Sequence, residues 1–305
     1  GLFVDLQYRN VDYTINGIDN DLIALQENNQ YDFFNPKAGI TYQLNPSTNV
    51  YASFGIGNKE PNRSDFTDSP NNETPKAETL RNLEVGFRKA SDRFSVDANY
   101  YLMDYKNQLV LTGELNDVGS ALRTNVESSY RTGVEFMAGI KLLEKLDLNL
   151  NATFSNNVIR NFTETIYDYG QNWDEYNSVQ IDHGKTAIAF SPNIIAGASL
   201  RFYPIKDMSI SWNHRYVGDQ YLDNTNSESR KLDAYYLNDA VIAYSFSALK
   251  IKTITLKGAV YNVFNTLYES NGYTWGYRGG GEEIRENFFY PQAGTNFMLG
   301  ITLKL

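Results

Sequence analysis

The 305-residue sequence has no cysteine, which excludes a disulfide framework and thiolate metal sites. Proline (8) and methionine (4) are scarce, and helix formers do not dominate. Histidine occurs only as His183 and His214, a poor basis for a metal or catalytic constellation. No run approaches the roughly 18 to 20 apolar residues of a membrane-spanning helix, and mean hydropathy is negative. Basic residues are also in deficit, 27 against 36 acidic, for a formal net charge of -9. That balance argues against nucleic-acid binding, which needs a basic face to neutralise phosphates. A membrane barrel survives all these exclusions, because only alternate residues of its strands meet lipid.

What is abundant fits that survivor: 23 tyrosines, 17 phenylalanines and 22 glycines, a mixture suited to pleated strands with aromatic belts. Over 146–155, Leu146, Leu148, Leu150, Ala152 and Phe154 alternate with Asp147, Asn149, Asn151, Thr153 and Ser155. The period is two, which predicts strand and not helix. The pattern returns at 130–142, 38–44, 50–56, 94–102 and 194–202, and at the C-terminus, where Phe297, Leu299, Ile301, Leu303 and Leu305 share a face. Shorter versions lie at 2–8, 83–87, 208–216, 234–246 and 254–264. About twelve strands are expected, and the fold class is all-β.

The connections sort into two sets. Short ones fall at 45–48, 91–92, 143–145, 203–207 and 248–252. Long polar ones fall at 16–31, 59–79, 112–121, 161–185, 223–231 and 267–287, and the two sets alternate. Short turns at one rim and long loops at the other describe an antiparallel up-and-down transmembrane barrel. Several segments exceed the 9 to 11 residues that cross the hydrocarbon, so strands are expected to project beyond the outer surface.

Ordered segments then resemble one family. Asn35-Pro36-Lys37-Ala38-Gly39-Ile40-Thr41-Tyr42 with Val50-Tyr51-Ala52-Ser53-Phe54-Gly55, and Pro75-Lys76-Ala77-Glu78 through Glu84-Val85-Gly86-Phe87, resemble strands of TonB-dependent outer-membrane receptors. So do Tyr100-Tyr101-Leu102-Met103-Asp104-Tyr105, Arg131-Thr132-Gly133-Val134-Glu135, and Val260-Tyr261-Asn262 with Tyr268. The shared order is more specific than any one match, although Leu305 departs from the aromatic residue that often ends such barrels.

The resemblance implies a 22-stranded barrel filled by an N-terminal plug, of which residues 1–305 are expected to be the C-terminal part, without the plug and the earlier strands. It implies residence in the outer membrane of a Gram-negative bacterium, contact with its lipid, and coupling to TonB through the plug. It also implies uptake of a scarce small molecule such as a metal chelate, most readily a ferric siderophore, with glycan, vitamin or peptide as alternatives. Other classes remain beside it: a complete smaller barrel acting as a passive channel or adhesin, and a soluble multi-sheet carbohydrate-binding protein.

Candidate residues follow from chemistry and face. Tyr167, Tyr169, Trp173, Tyr273, Trp275 and Tyr277 lie in two long loops, where aromatic rings could stack on a planar ligand or merely pack the loops together. Arg278 and Arg285 flank Gly279-Gly280-Gly281 and could grip an anionic chelate, with the glycine run permitting movement. Glu84, Arg88, Arg131 and Glu135 fall on the polar face, where cross-strand ion pairs or plug contacts are expected. Gly86, Gly133 and Gly139 share that face and mark close approach. His183 sits among Asp174, Glu175 and Asp182 and is expected to be a surface histidine with a carboxylate neighbour; His214 is expected at the membrane interface. No nucleophile with a serving base is recognisable, so no enzyme and no cofactor are expected.

Overall fold

The computed structural model describes residues 1–18, 24–68, 74–116, 119–248 and 250–304. Leu305, expected to complete the last strand, lies outside the described residues, as do parts of the connections expected at 16–31, 59–79, 112–121 and 248–252. The described residues form, in chain order, β1 (Leu2–Ile18), β2 (Ala24–Asn45), β3 (Thr48–Lys59), the short helix α1 (Arg63–Thr67), β4 (Glu78–Ala90), β5 (Phe94–Leu115), β6 (Ala121–Leu143), β7 (Leu146–Asp168), β8 (Asn177–Ala187), β9 (Ile194–Phe202), β10 (Met208–Val217), β11 (Gln220–Tyr221), β12 (Lys231–Leu232), β13 (Tyr235–Ala248), β14 (Ile251–Tyr261), β15 (Glu269–Gly279), β16 (Glu282–Pro291) and β17 (Asn296–Lys304).

Twelve of these strands make one curved antiparallel wall in the order β1-β2-β3-β4-β5-β6-β7-β9-β10-β13-β14-β17. They are the twelve that alternation marks in the sequence. Register explains why. One row across the wall reads Leu2, Ile40, Ala52, Val85, Tyr100, Val134, Phe154 and Ile194; the next reads Phe3, Gly39, Ser53, Glu84, Tyr101, Gly133 and Ser155. The first row is the outer, lipid-facing surface and the second mostly polar row lines the lumen, since a slip of one residue would exchange the two faces. Tyr100 and Tyr101, adjacent in sequence, therefore divide between the faces.

The wall is open. β1 pairs with β2 alone and β17 with β14 alone among the described residues. Both edges carry exposed apolar side chains, including Leu2, Leu6, Phe297 and Leu299. A lipid-embedded edge leaves backbone N–H and C=O groups without water or partner.

Gly86 and Gly133 have a different use from the one their face suggests. A Cβ on Gly86 would come 2.1 Å from the Tyr51 ring, and one on Gly133 would come 2.4 Å from the Phe154 carbonyl and 2.8 Å from Tyr101 Oη. Tyr51 pairs with Gly86, and Tyr101 with Gly133. Each tyrosine thus lies across the glycine on its neighbouring strand, and the close approach comes from the wall itself.

Several connections expected as loops are instead strand. β5, β6 and β7 run 22, 23 and 23 residues, about twice what the hydrocarbon needs, and their outer halves stand above the bilayer. There lipid no longer imposes alternation, and polar sequence can be strand on both faces. β7 changes partner on the way up: Leu146 to Phe154 pairs with β9, and Val158 to Asp168 with β8. Val110, Val126, Ile159, Phe162 and Ile188 form a small buried core at this level.

The expected loop 267–287 is a hairpin. β15 and β16 pair with Gly279 opposite Glu282, leaving Gly280 and Gly281 as a two-residue turn with φ of 63° and 83°. Two successive positive φ values are the tight hairpin geometry that glycine permits. The glycine run therefore fixes a turn. The hairpin leans away from its wall neighbours β14 and β17 and joins the outer end of β7 in parallel, Tyr277 opposite Tyr167 and Arg278 opposite Asp168.

Candidate functional site

The outer halves of β5 to β7, β8, the segment spanning β11 and β12, and the β15–β16 hairpin converge above the lumen. Four of the predicted aromatics meet in one cluster there. Tyr169 lies 6.4 Å from Trp173 and 5.7 Å from Tyr277, Trp173 lies 5.8 Å from Tyr277, and Trp275 lies 5.1 Å from Tyr277, all between ring centroids. Tyr167 joins through Tyr176, at 5.3 Å. Tyr273 does not; it stacks on Phe288 at 4.6 Å, farther down the hairpin. Trp173 also covers Gly279, where a Cβ would meet its ring at 2.6 Å. Backbone bonds tie the layers: Tyr169 N–H donates to the Arg278 carbonyl (2.8 Å) and Gly280 N–H to that of Gly170 (2.9 Å). The aromatics thus pack two loops together while Trp173, Tyr176 and Trp275 remain exposed.

The two predicted arginines are already engaged. Arg278 donates to Glu283 Oε2 at 3.2 Å. Arg285 donates to Glu283 Oε1 at 3.0 Å and to Glu164 Oε1. An anionic ligand would reach them by taking the place of these carboxylates. Burial alone would raise the Glu283 carboxyl, but hydrogen bonds from Arg285 and Arg278 hold it below its usual value.

Glu164 is the centre of a network that sequence reasoning missed. Besides Arg285 it accepts from Arg230 Nη1 at 3.4 Å, and its second oxygen lies 2.9 Å from His183 Nε2. His183 thus has a carboxylate neighbour, but on the adjacent strand and not among Asp174, Glu175 and Asp182. Arg230 in turn donates to Asp223 Oδ2 at 2.6 Å, and both are buried. Beside the network lies a cavity of about 320 Å³ lined by Glu114, Glu164, Asp223, Gln180, Thr274 and Arg285. Glu114, near the extracellular end of β5, has its carboxyl pushed up to about 7. Burial is the main cause; Arg285 opposes it, and Glu164 and Asp223 add to it. Low dielectric magnifies each of these charge effects. The run Asp223-Asn224-Thr225-Asn226 carries turn chemistry, but nothing local could announce Glu164, whose partner Arg285 is 121 residues away.

The four lumenal residues do not pair with one another. Arg88 donates to Asp97 directly opposite (2.6 Å) and lies 4.5 Å over the Tyr51 ring. Arg131 donates to Ser191 Oγ at 2.8 Å and Asn157 Oδ1 at 3.3 Å. Glu84 accepts from Asn82 (2.8 Å), and Glu135 from Asn99 (3.3 Å). The expected cross-strand ion pair is present for Arg88 alone of the four. Arg88, Asp97, Asn49, Asn149 and Asn151 line an open lumenal recess of about 790 Å³. His214 lies 2.5 Å from the Tyr236 hydroxyl and beside Trp212. No group of three histidine or acidic side chains suited to a metal ion occurs among the described residues.

A family model described as the TonB dependent receptor-like beta-barrel matches residues 2–263. Solved structures agree in fold. The ferric-catecholate import receptor Fiu from K12 E. coli superposes with a TM-score of 0.66 at 16% identity, covering 98% of this chain and 42% of that one. The ferric citrate transporter FecA, unliganded, gives 0.68 at 18% identity over 98% and 42%, and the copper transporter OprC 0.70 at 16% over 98% and 46%. The chain spans less than half the length of each.

Proposed function

We propose, from the premise that this chain belongs to the TonB-dependent receptor β-barrel family of the Gram-negative outer membrane, that it is the C-terminal part of the barrel wall and the outer vestibule of an active importer. The remaining strands and a plug complete the protein, TonB supplies the energy through the plug, and the ligand passes unchanged, without catalysis. The ligand we favour is a ferric siderophore or a similar anionic chelate. One observation carries this reading: the β15–β16 hairpin reaches across the mouth to β7 and brings Trp173, Trp275 and Tyr277 beside Arg278 and Arg285. Flat aromatic faces and guanidinium forks together suit an anionic ligand that carries planar groups such as catecholate rings. Similar folds belong to a ferric-catecholate receptor, a ferric citrate transporter and a copper transporter, which supports import of a metal species. The exposed tryptophans would also suit a sugar face, so glycan import is the second reading, with vitamin and peptide behind it.

The test is binding of a ferric catecholate siderophore, cobalamin and an oligosaccharide to the intact receptor, with and without residues 267–287. Ferric siderophore binding that falls at least about tenfold on deletion, a difference of about 1.4 kcal/mol, supports the assignment. Unchanged affinity removes the hairpin from the site. Binding of the oligosaccharide alone transfers the reading to glycan import, and uptake that persists in de-energised cells replaces the importer by a passive channel.

A further inference from the structure

Toward the extracellular end, the outer face of β4, β5 and β7 changes from mainly apolar to charged. On β4, Phe87, Val85 and Leu83 are followed on the same face by Arg81. On β5, Val96, Ala98, Tyr100 and Leu102 are followed by Asp104 and Lys106. On β7, Ala152, Phe154, Asn156 and Val158 lead to Arg160. Register sets Arg81 opposite Asp104, Asp104 opposite Tyr130, and Lys106 opposite Ser128. Arg160 Nη2 donates to Asp104 Oδ1 at 2.7 Å and Nη1 to Ser128 Oγ at 2.5 Å, its guanidinium 5.0 Å over the Tyr130 ring. Arg81 Nη1 stands 3.8 Å from Asp104 Oδ2. Two guanidiniums share the one carboxylate and Lys106 stands one outward step above it, an excess of two positive charges, and the arginine side chains remain 62% and 43% exposed.

Height identifies what meets them. From Phe94 to Leu102 the outward residues of β5 are apolar, and eight steps of about 3.4 Å at about 40° of tilt rise about 21 Å. That nearly spans the hydrocarbon band of an outer-membrane barrel, so Asp104, Lys106, Arg81 and Arg160 stand where the headgroups of the outer leaflet begin. Below them, Leu83, Tyr100 and Val134 offer apolar surface to acyl chains.

We infer that Arg81, Lys106 and Arg160 form a binding site for the phosphate groups of an outer-leaflet glycolipid whose acyl chains lie along the apolar face beneath. A soluble anion would use the guanidiniums but forgo the apolar half. The site is on the opposite face of the wall from the vestibule and does not depend on which ligand is imported.

The test uses the intact receptor in neutral detergent, with three probes: a bis-phosphorylated glucosamine-disaccharide lipid, the same lipid without phosphates, and inorganic phosphate. Saturable binding of the phosphorylated lipid is expected, weakened about fivefold per cation removed and on the order of a hundredfold in the Arg81→Ala, Lys106→Ala, Arg160→Ala triple variant. Asp104→Asn releases both guanidiniums and is expected to tighten binding, a gain that a merely structural role for Asp104 would not produce. Equal binding of the dephosphorylated lipid, displacement by inorganic phosphate at equal concentration, or an unchanged triple variant would overturn the assignment. Heat-dependent gel mobility checks that each variant folds. Should the triple variant fail that check, Asp104→Asn decides: tightening supports the site, and unchanged or weakened binding overturns it.

Discussion

Glu164→Gln tests how the vestibule is held together. The substitution keeps the shape of the side chain and one acceptor oxygen but removes the charge shared by Arg285, Arg230 and His183. Deleting one partner of a buried ion pair costs about 3 to 5 kcal/mol. Glu164 and both arginines are mostly buried, but Glu283 and Asp223 stay beside those arginines, so about half of that cost is expected, about 2 kcal/mol. The loss falls on the contact between hairpin and β7, not on the wall. Hydrogen exchange at the Tyr169 and Gly280 amides, which close that contact, should accelerate about thirtyfold, while wall amides such as those of Tyr100 and Val134 keep their rates. Glu164 is also one of the charges raising Glu114, so the Glu114 titration should move downward in the same variant. Unchanged protection at Tyr169 and Gly280, or acceleration spread evenly over the wall, would refute the reasoning.

Two further outcomes are expected. Because the folded vestibule holds the Glu114 proton up to about 7 against about 4.3 in an unfolded chain, its contribution is full below pH 4 and is lost as pH rises through 7; the opening free energy of the β15–β16 hairpin, measured by exchange corrected for intrinsic rates, should fall over pH 5 to 8, and an identical slope in Glu114→Gln would assign it to another group. Gly86→Ala should lower the midpoint of the heat-dependent gel shift, since its Cβ would displace the Tyr51 ring from beneath Arg88 at about 1 to 3 kcal/mol; Tyr51→Ser should restore the midpoint if crowding is the cause, and failure to do so would point to backbone effects.

The wall was legible because lipid is an unforgiving solvent. Leu148, Leu150, Ala152 and Phe154 must face it and their neighbours must not, so composition itself records the pleat. Above the bilayer that pressure stops, and the outer half of β7, where Thr163, Glu164 and Thr165 follow Phe162, carries no such record. The hairpin does carry a signal in the sequence: Tyr273, Trp275 and Tyr277 alternate up to a Gly-Gly turn, the pattern of two strands with a two-residue link. Its aromatics and arginines were recognisable by type, which is why four of the predicted rings do meet. Glu164, Asp223 and Arg230 were not recognisable, since a lone acidic or basic residue in a polar stretch has no local property that reveals a distant partner. Arg278 and Arg285 show the converse limit, because type alone does not tell that Glu283 and Glu164 already occupy them.

The parallel seam between the hairpin and β7 also carries an entropic cost that the wall does not. Arg285 reaches Glu164 across 121 positions of sequence, and the chain between them includes β8 through β15. Contacts of such separation are slow to form and gain nothing until the intervening chain is laid down. The wall joins neighbouring strands whereas the seam closes a far longer loop, so roofing the mouth costs more chain entropy than extending the wall.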